Sequence, residues 1–125
     1  MKKAVTIDTL HVWNAMADIE KIKKEIIERL KPLDPERVIL FGSYAAGIPN
    51  EESDVDLYVV TRDDYMPKSW REKNEIYLKI SRELRSLRNE VPIDLIVHTK
   101  KMNRKFIELN SHFSREIISN GITLI

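Results

Sequence analysis

A Gly-Ser pair followed, after a spacer of ten residues, by two aspartates is the part of this sequence whose residue types and spacing could do chemistry. The pair is Gly42-Ser43, and the acids are Asp54 and Asp56. Glycine lets the backbone turn sharply and approach a phosphate closely. Ser43 could cap a following short helix, whose exposed N–H groups would receive phosphate oxygens. The segment therefore predicts a site in which Gly42 and Ser43 bind a nucleoside triphosphate and the acids bind its metal ions.

Asp54 and Asp56 are two residues apart, so on a strand they would project from the same face, about 7 Å from each other. Carboxylates so placed suit Mg²⁺ or Mn²⁺. Two such ions about 4 Å apart would activate an attacking oxygen and stabilise a leaving pyrophosphate. Asp94 is the candidate third carboxylate, because it interrupts the apolar run Val91–Val97, where a buried and unpaired charge would be costly. These three aspartates are predicted to bind the metal ions and to act in catalysis.

The elements that must position these residues can be predicted from the spacing of apolar residues. Three segments with apolar residues at three- and four-residue steps are predicted as helices: Val12–Leu30, Trp70–Leu87 and Met102–Ile117. Three short apolar segments are predicted as strands: Val38–Phe41, Asp54–Thr61 and Val91–His98. Gly121 would end the last helix before a closing strand or tail at Ile122–Ile125. This order predicts an α/β sandwich in which helices cover a small sheet, and it leaves the relative strand directions open.

Size and composition limit the classes of protein to consider. The chain has 125 residues, so residues 1–125 are predicted to form a single domain. The net charge of +1 gives no strong attraction toward nucleic acid. No apolar run approaches the length of a membrane span, and the first residues do not form a signal peptide, so a cytoplasmic location is expected. Cysteine is absent, which removes disulfides and thiolate metal sites.

Several other side chains have an ordinary structural interpretation beside a functional one. His98 shares the predicted strand face of Asp94 and could orient a phosphate, but a histidine at a strand end is more often at the surface. Tyr58 either flanks the nucleotide or packs beneath the metal site. Aromatic residues at helical spacing are expected in the core rather than stacked on a base: Trp70, Tyr77, Phe106 and Phe113. A cluster of basic residues is expected to be a solvated helix start rather than a contact with RNA or an acidic partner: Lys100, Lys101, Arg104 and Lys105.

The pattern G-S-x10-D-x-D, met in full by Gly42, Ser43, Asp54 and Asp56, resembles the DNA polymerase beta-like nucleotidyltransferase superfamily. Neighbouring residues resemble its minimal nucleotidyltransferase (MNT) branch: Phe41, Tyr44, Gly47, Ser53 and Leu57. Asp94 falls on the strand where the family carries its third carboxylate. The resemblance covers about residues 34–97. It implies a small mixed sheet flanked by α-helices, two Mg²⁺ ions (or Mn²⁺) at the aspartates, and ATP or another NTP as substrate.

The resemblance also implies a reaction and a partner. The reaction is metal-dependent transfer of a nucleoside monophosphate, with AMP from ATP as the expected case, to a hydroxyl or phosphate acceptor. Short chains of this kind are often encoded beside a HEPN-domain protein and resemble antitoxins that neutralise a HEPN ribonuclease, in some pairs by attaching AMP to a toxin tyrosine. This chain lacks the Arg-x4-6-His signature of those ribonucleases, so it would be the antitoxin and a HEPN-domain protein its partner.

Two alternatives stay open. Many relatives have Arg where this chain has Ala46, and a missing contact with phosphate would favour a catalytically weak, nucleotide-binding antitoxin that neutralises its partner by complex formation alone. The other alternative is modification of a small molecule, as in aminoglycoside nucleotidyltransferases, although 125 residues leave no additional structure for such an acceptor. The acceptor surface would then come from another chain, in a homo-oligomer or a hetero-oligomer.

Overall fold

The computed structural model describes residues 7–50 and 52–125, with side chains described from Asp18 onward. Its helices are α1 (Ile7–Leu30), α2 (Gly42–Ala46), α3 (Trp70–Glu83), α4 (Arg85–Arg88), α5 (Lys100–Leu109) and α6 (His112–Asn120), and a 3-10 turn at Lys31–Leu33 follows α1. Its strands are β1 (Arg37–Phe41), β2 (Val55–Val60), β3 (Ile93–His98) and β4 (Ile122–Thr123). No helix within these ranges is long and apolar enough to cross a membrane.

The four strands form one sheet in the order β3-β2-β1-β4. β1 pairs antiparallel with both β2 and β4, whereas β2 and β3 run parallel. A parallel pair needs a crossover connection, which α3 and α4 supply. The sheet is therefore mixed, as the family resemblance implies, and the α/β prediction is confirmed.

The sheet buries both of its faces, and β2 shows why each face is apolar. Val55, Leu57 and Val59 point into the larger core, which α1 covers with Ile19, Ile22, Ile26 and Leu30, α3 with Ile80, and the residue after α3 with Leu84. Tyr58 and Val60 point the other way, into a smaller cluster with Ile39, Phe41 and Ile117. The apolar stripe predicted for the first helix is confirmed from Ile19 to Leu30, and the side chains of residues 12–17 lie outside the described ones.

Two of the predicted helices are interrupted. The segment predicted as one helix, Met102–Ile117, forms α5 and α6, because Asn110 adopts a left-handed backbone conformation with φ 47°. Ser111 then starts α6 by accepting a hydrogen bond from the Ser114 N–H at 3.0 Å. The segment predicted over Trp70–Leu87 breaks at Leu84, between α3 and α4.

The prediction of a core position is wrong for Trp70. Its side chain is 78% exposed, because it is the first residue of α3 and lies beyond the part of the helix that covers the sheet. Tyr77 packs against the larger core and Phe106 against the smaller cluster, as predicted. Phe113 contacts other aromatic rings but remains 44% exposed.

Candidate active site

Asp56 and Asp94 lie side by side on the parallel strands β2 and β3, where their Cα atoms are register partners. Adjacent strands are about 4.8 Å apart, and partners in register share a face of the sheet. Asp54 lies just before β2, and its charge acts on Asp56. The fold therefore places Asp56 and Asp94 on one face of the sheet, with Asp54 close enough for its charge to act on Asp56.

The expectation that Asp94 is a buried carboxylate is wrong. Asp94 is exposed, as is Asp54, whereas Asp56 is partly buried. The apolar run around Asp94 comes from its neighbours Leu95 and Val97, which face the larger core, whereas Asp94 projects from the opposite face near the start of β3. The charged form of an exposed carboxylate has little desolvation cost, so the evidence for a site is the alignment of Asp94 with Asp56.

Gly42 is required at its position for two reasons. Its φ of 77° lies in the left-handed region that side chains rarely adopt. In addition, a Cβ atom at Gly42 would overlap Oδ2 of Asp56, because Gly42 directly follows Phe41, the β1 partner of Asp56. The backbone of Gly42 therefore contacts the Asp56 carboxylate. A phosphate bound to cations at that carboxylate would also lie close to the Gly42 backbone.

The predicted capping role of Ser43 is wrong. Phe41 occupies the N-cap position of α2, and no side chain makes a cap hydrogen bond there. Ser43 is instead the second residue of the helix and is partly buried. Its carbonyl oxygen accepts a hydrogen bond from the Ile48 N–H at 3.0 Å, and Ala46 ends the helix with an exposed side chain. Because the first N–H groups of any helix lack acceptors within it, those of Gly42 and Ser43 can still serve a phosphate.

The turn before Asp54 is held by local hydrogen bonds that the sequence interpretation missed. The Asn50 N–H donates to Oγ of Ser53 at 2.8 Å, and the Ser53 N–H donates to the Asn50 carbonyl oxygen at 3.1 Å. The Glu52 N–H donates to Oδ1 of Asn50 at 2.8 Å. The spacing Asn-x-x-Ser is the signal that could have identified this turn, since both side chains readily bond to nearby backbone groups. These hydrogen bonds hold the turn that leads to Asp54, the residue before β2.

Negative charge accumulates around Asp56. Burial, followed by the charges of Asp94, Asp54 and Glu116, raises the pKa of Asp56 from 3.8 to about 6. Glu116 lies on α6 and was not singled out in the sequence, because its approach depends on the chain reversal at Asn110. A carboxylate surrounded in this way favours bound cations or a proton.

The donor set fits divalent cations of the hard, oxygen-preferring class. Among the described side chains, no three residues of the types Asp, Glu, His or Cys already converge into a complete metal shell. Mg²⁺ does not need one, since it usually takes one or two carboxylates together with water and substrate phosphates. The neighbouring carboxylates of Asp56 and Asp94 can supply that share, with Asp54 beside them.

Tyr58 packs beneath the site rather than flanking a nucleotide. Its side chain is fully buried, and Phe106 stacks on its ring at a centroid distance of 5.2 Å. The Tyr58 hydroxyl donates to Oδ1 of Asn103 at 2.7 Å and lies 2.8 Å from Nδ1 of His98. Since a hydroxyl has one proton, Nδ1–H of His98 is the donor in the second bond.

His98 is partly buried rather than at the surface, and its Nδ1 is engaged with the Tyr58 hydroxyl. Burial, and to a lesser extent the charge of Lys73, lowers the pKa of His98 to about 4, so the ring is neutral at neutral pH.

The basic cluster at the start of α5 is partly engaged in ion pairs, because Lys100 pairs with Glu36 and Arg104 with Asp64. These ion pairs agree with the predicted solvated helix start.

A cavity of about 320 Å³ adjoins the segments that carry the aspartates. Tyr44 of α2 and Ser53, which precedes Asp54, line it together with Asn50 and the apolar residues Ile22 and Val91. Burial raises the pKa of Tyr44, and the charges of Asp18 and Asp54 raise it further, so the phenol stays protonated. Charged side chains also line the cavity, those of Asp18, Lys21, Glu25 and Glu90, so its wall is part apolar and part charged.

Comparisons with known proteins agree with this geometry. The family model described as "Polymerase beta, Nucleotidyltransferase" matches residues 20–125. "Putative protein adenylyltransferase MJ0141" of Methanocaldococcus jannaschii is 39% identical over 100 residues, which are 79% of this chain and 94% of that protein. "Putative protein adenylyltransferase MJ0604" of the same organism is 32% identical over 108 residues, which are 84% of this chain and 96% of that protein.

Two solved structures share the fold. A crystal structure of a toxin-antitoxin with AMP-PNP has a TM-score of 0.55 at 20% identity, with 82% of this chain and 72% of that chain covered. A crystal structure of a mutant of the toxin-antitoxin MntA-HpeT has a TM-score of 0.52 at 17% identity, with 82% and 71% covered. The family match and the adenylyltransferase relatives confirm the resemblance found in the motif: the chain belongs to the polymerase beta nucleotidyltransferase family and is a nucleotidyltransferase.

Proposed function

We propose that this chain transfers AMP from ATP to a hydroxyl group of a protein and acts as the antitoxin toward that protein. The observation that carries the proposal is the alignment of Asp56 with Asp94, with Gly42 against the Asp56 carboxylate. The relatives named as protein adenylyltransferases support AMP and a protein acceptor. The toxin-antitoxin structures of similar fold support a toxin partner, for which the motif resemblance suggests a HEPN-domain protein.

In the proposed reaction, the acceptor oxygen attacks the α-phosphorus of ATP. A bond forms between that oxygen and the α-phosphorus, the bond from the α-phosphorus to the bridging oxygen breaks, and pyrophosphate leaves. Asp94, exposed beside Asp56, receives the proton of the acceptor hydroxyl on its carboxylate. Two Mg²⁺ or Mn²⁺ ions, when bound at the aspartates, would activate the acceptor oxygen and stabilise the charge on pyrophosphate.

The remaining residues of the site orient the triphosphate. Asp54 and Asp56 would hold its cations, and bound cations would relieve the repulsion that Asp94, Asp54 and Glu116 exert on the charge of Asp56. The N–H groups of Gly42 and Ser43 at the start of α2 receive phosphate oxygens. Fixed donors of this kind contribute to catalysis because they need no reorganisation during the reaction.

Radiolabelled ATP tests the proposal directly. With Mg²⁺ and the protein encoded beside this chain, α-labelled ATP should label that partner, whereas γ-labelled ATP should not, because pyrophosphate leaves. Asp56→Asn should reduce labelling by about a thousandfold, since it removes a charge that serves the transition state. Asp63→Asn is the matched control, because Asp63 is an exposed aspartate beyond the other end of β2. Wild-type labelling by Asp56→Asn would refute the assignment.

Ala46 supports a second candidate function, in which the chain binds nucleotide but neutralises its partner by complex formation alone. Ala46 ends α2 with an exposed side chain and offers no cation to a phosphate. A variant with Asp54, Asp56 and Asp94 all changed to Asn distinguishes the two candidates. It should fail to protect cells from the toxin if transfer is required, and it should protect them fully if binding suffices.

A further inference from the structure

We propose that the protein acceptor docks on an apolar rim formed by Leu109 and Phe113, where α5 meets α6. The inference rests on the proposed function, because transfer to a protein requires a contact surface that borders the aspartates. The occupant that fits this rim is a protein segment whose acceptor hydroxyl is flanked by apolar and basic side chains.

Phe113 connects the rim, through a ring contact, with the end of the sheet that carries the aspartates. Its ring meets that of Phe41 edge-on, with centroids 5.8 Å apart and planes at 80°. Phe41 is the β1 partner of Asp56 and precedes Gly42. A second edge contact joins Phe113 to Phe106 at 6.1 Å, and Ile117, one turn further along α6, is fully buried. The inner edge of Phe113 is therefore held against Phe41 and Phe106, and Phe41 is the strand partner of Asp56.

The outer side of the rim is open. Phe113 is 44% exposed, and Leu109, the last residue of α5, is 75% exposed. The left-handed Asn110 between them directs the chain back, and its N–H donates to the Ile107 carbonyl oxygen at 3.0 Å. An aromatic ring that is already held by its neighbours loses little conformational entropy when a partner covers it, which suits it as an anchor.

The charges near the rim and the aspartates favour a protein partner with basic side chains. Glu108 on α5 and Glu116 on α6 flank it, and Glu116 is close enough to Asp56 to raise the pKa of that carboxyl. Arg115 donates to the Asn110 carbonyl oxygen, a neutral acceptor, so Arg115 keeps its positive charge and, with the exposed Lys105, offsets part of the charge of the two glutamates. The charges of ATP and of two divalent cations nearly cancel, so the loaded site would keep the negative charge of Asp54, Asp56 and Asp94. Electrostatic complementarity then favours Lys or Arg beside the apolar residues of the acceptor.

Peptide binding tests the rim without requiring turnover. Short fluorescent peptides with a central tyrosine flanked by Leu, Phe and Lys are titrated with the whole chain, Mg²⁺ and AMP-PNP, and anisotropy gives the Kd. Peptides in which Glu replaces Lys should bind about tenfold more weakly. Leu109→Ser should weaken binding of the Lys peptides about tenfold. Trp70→Ser, equally exposed but beyond the far end of β2, should leave the Kd unchanged.

Any of the following outcomes would contradict the proposed docking of the acceptor on the rim. Equal affinity for the Lys and Glu peptides would reject the basic partner, and an equal loss in Leu109→Ser and Trp70→Ser would reject the position. Absence of peptide binding would reject the rim as a docking surface for a protein segment. A failure of the proposed function is seen separately, as an absence of label from α-labelled ATP on any protein, and it does not alter these Kd values.

Discussion

Gly42 and Gly47 have the same φ of 77° but different surroundings, which separates backbone strain from steric overlap. A Cβ at Gly47 would meet nothing within 4 Å, whereas one at Gly42 would overlap the Asp56 carboxylate. Gly47→Ala should therefore cost about 1 kcal/mol of stability and retain transfer. Gly42→Ala should also displace Asp56 and reduce transfer more than about a hundredfold. Thermal denaturation and labelling by α-labelled ATP measure the two effects, and equal behaviour of the variants would contradict the close approach at Gly42.

Asp56 should destabilise the metal-free protein at neutral pH. Burial and the neighbouring acids raise its pKa from 3.8 to about 6 in the folded state, so the folded state binds the proton more tightly than the unfolded state does. The stability contributed by this group is present below about pH 4 and is lost as the pH rises through about 6. In the presence of a chelator, Asp56→Asn should be about 1 kcal/mol more stable than the wild type at pH 7.5, after solvent screening is allowed for. The difference should vanish near pH 4.

Urea denaturation at both pH values, with and without Mg²⁺, measures this effect. Mg²⁺ should stabilise the wild type more than Asp56→Asn, because the variant has lost a carboxylate donor. A variant that is less stable than the wild type at pH 7.5 without metal would show that Asp56 is not under the repulsion inferred for it.

At the scale of elements, apolar spacing predicted the order of helices and strands and the shared face of Asp54 and Asp56. The break at Asn110 could not be predicted, because the apolar spacing continues through it while the chain adopts a left-handed turn. Glu116 reaches the site only through that break, so it was missed with it. The exposure of Asp94 was also beyond prediction, since an apolar run does not reveal whether its strand lies at the centre or the margin of a sheet.

The hydrogen bonds of Tyr58 connect β2 with β3 and α5. Tyr58→Phe would leave Nδ1–H of His98 and Oδ1 of Asn103 without their partner, at a cost of about 1–3 kcal/mol. Tyr77→Phe is the matched control, because the Tyr77 hydroxyl accepts a single hydrogen bond from Arg88 at 3.1 Å on a partly exposed helix. It should cost less than about 1 kcal/mol. Urea denaturation of both variants gives the comparison, and equal costs would mean that the two hydrogen bonds of Tyr58 contribute no more than the single bond of Tyr77.

For the whole molecule, the two ends of the sheet differ in how charge is compensated. At the end opposite the aspartates, Arg62 pairs with Asp34 and Glu36, and Lys100 pairs with Glu36. At the end that carries the three aspartates, the charges that act on Asp56 are those of Asp94, Asp54 and Glu116, and all of them raise its pKa. Among the described residues, these acids therefore lie close together where cations, ATP and the acceptor are proposed to meet.

β3 forms one margin of the described sheet, so the strand that carries Asp94 pairs with a neighbour on one side only. The carbonyl oxygens of Pro92 and His98 face β2, and the alternation of a parallel strand then turns the backbone groups of Ile93, Leu95 and Val97 outward. Local opening should therefore need less free energy in β3 than in β2, which is paired on both sides.

Amide hydrogen exchange followed by NMR should be faster at Leu95 and Val97 than at Leu57 and Val59, and equal protection would contradict the one-sided pairing. The one-sided pairing predicts that β3, which carries Asp94, opens locally more often than β2, which carries Asp56. Such opening would move the proposed proton acceptor away from Asp56, and a segment that paired with the outer side of β3 would oppose it.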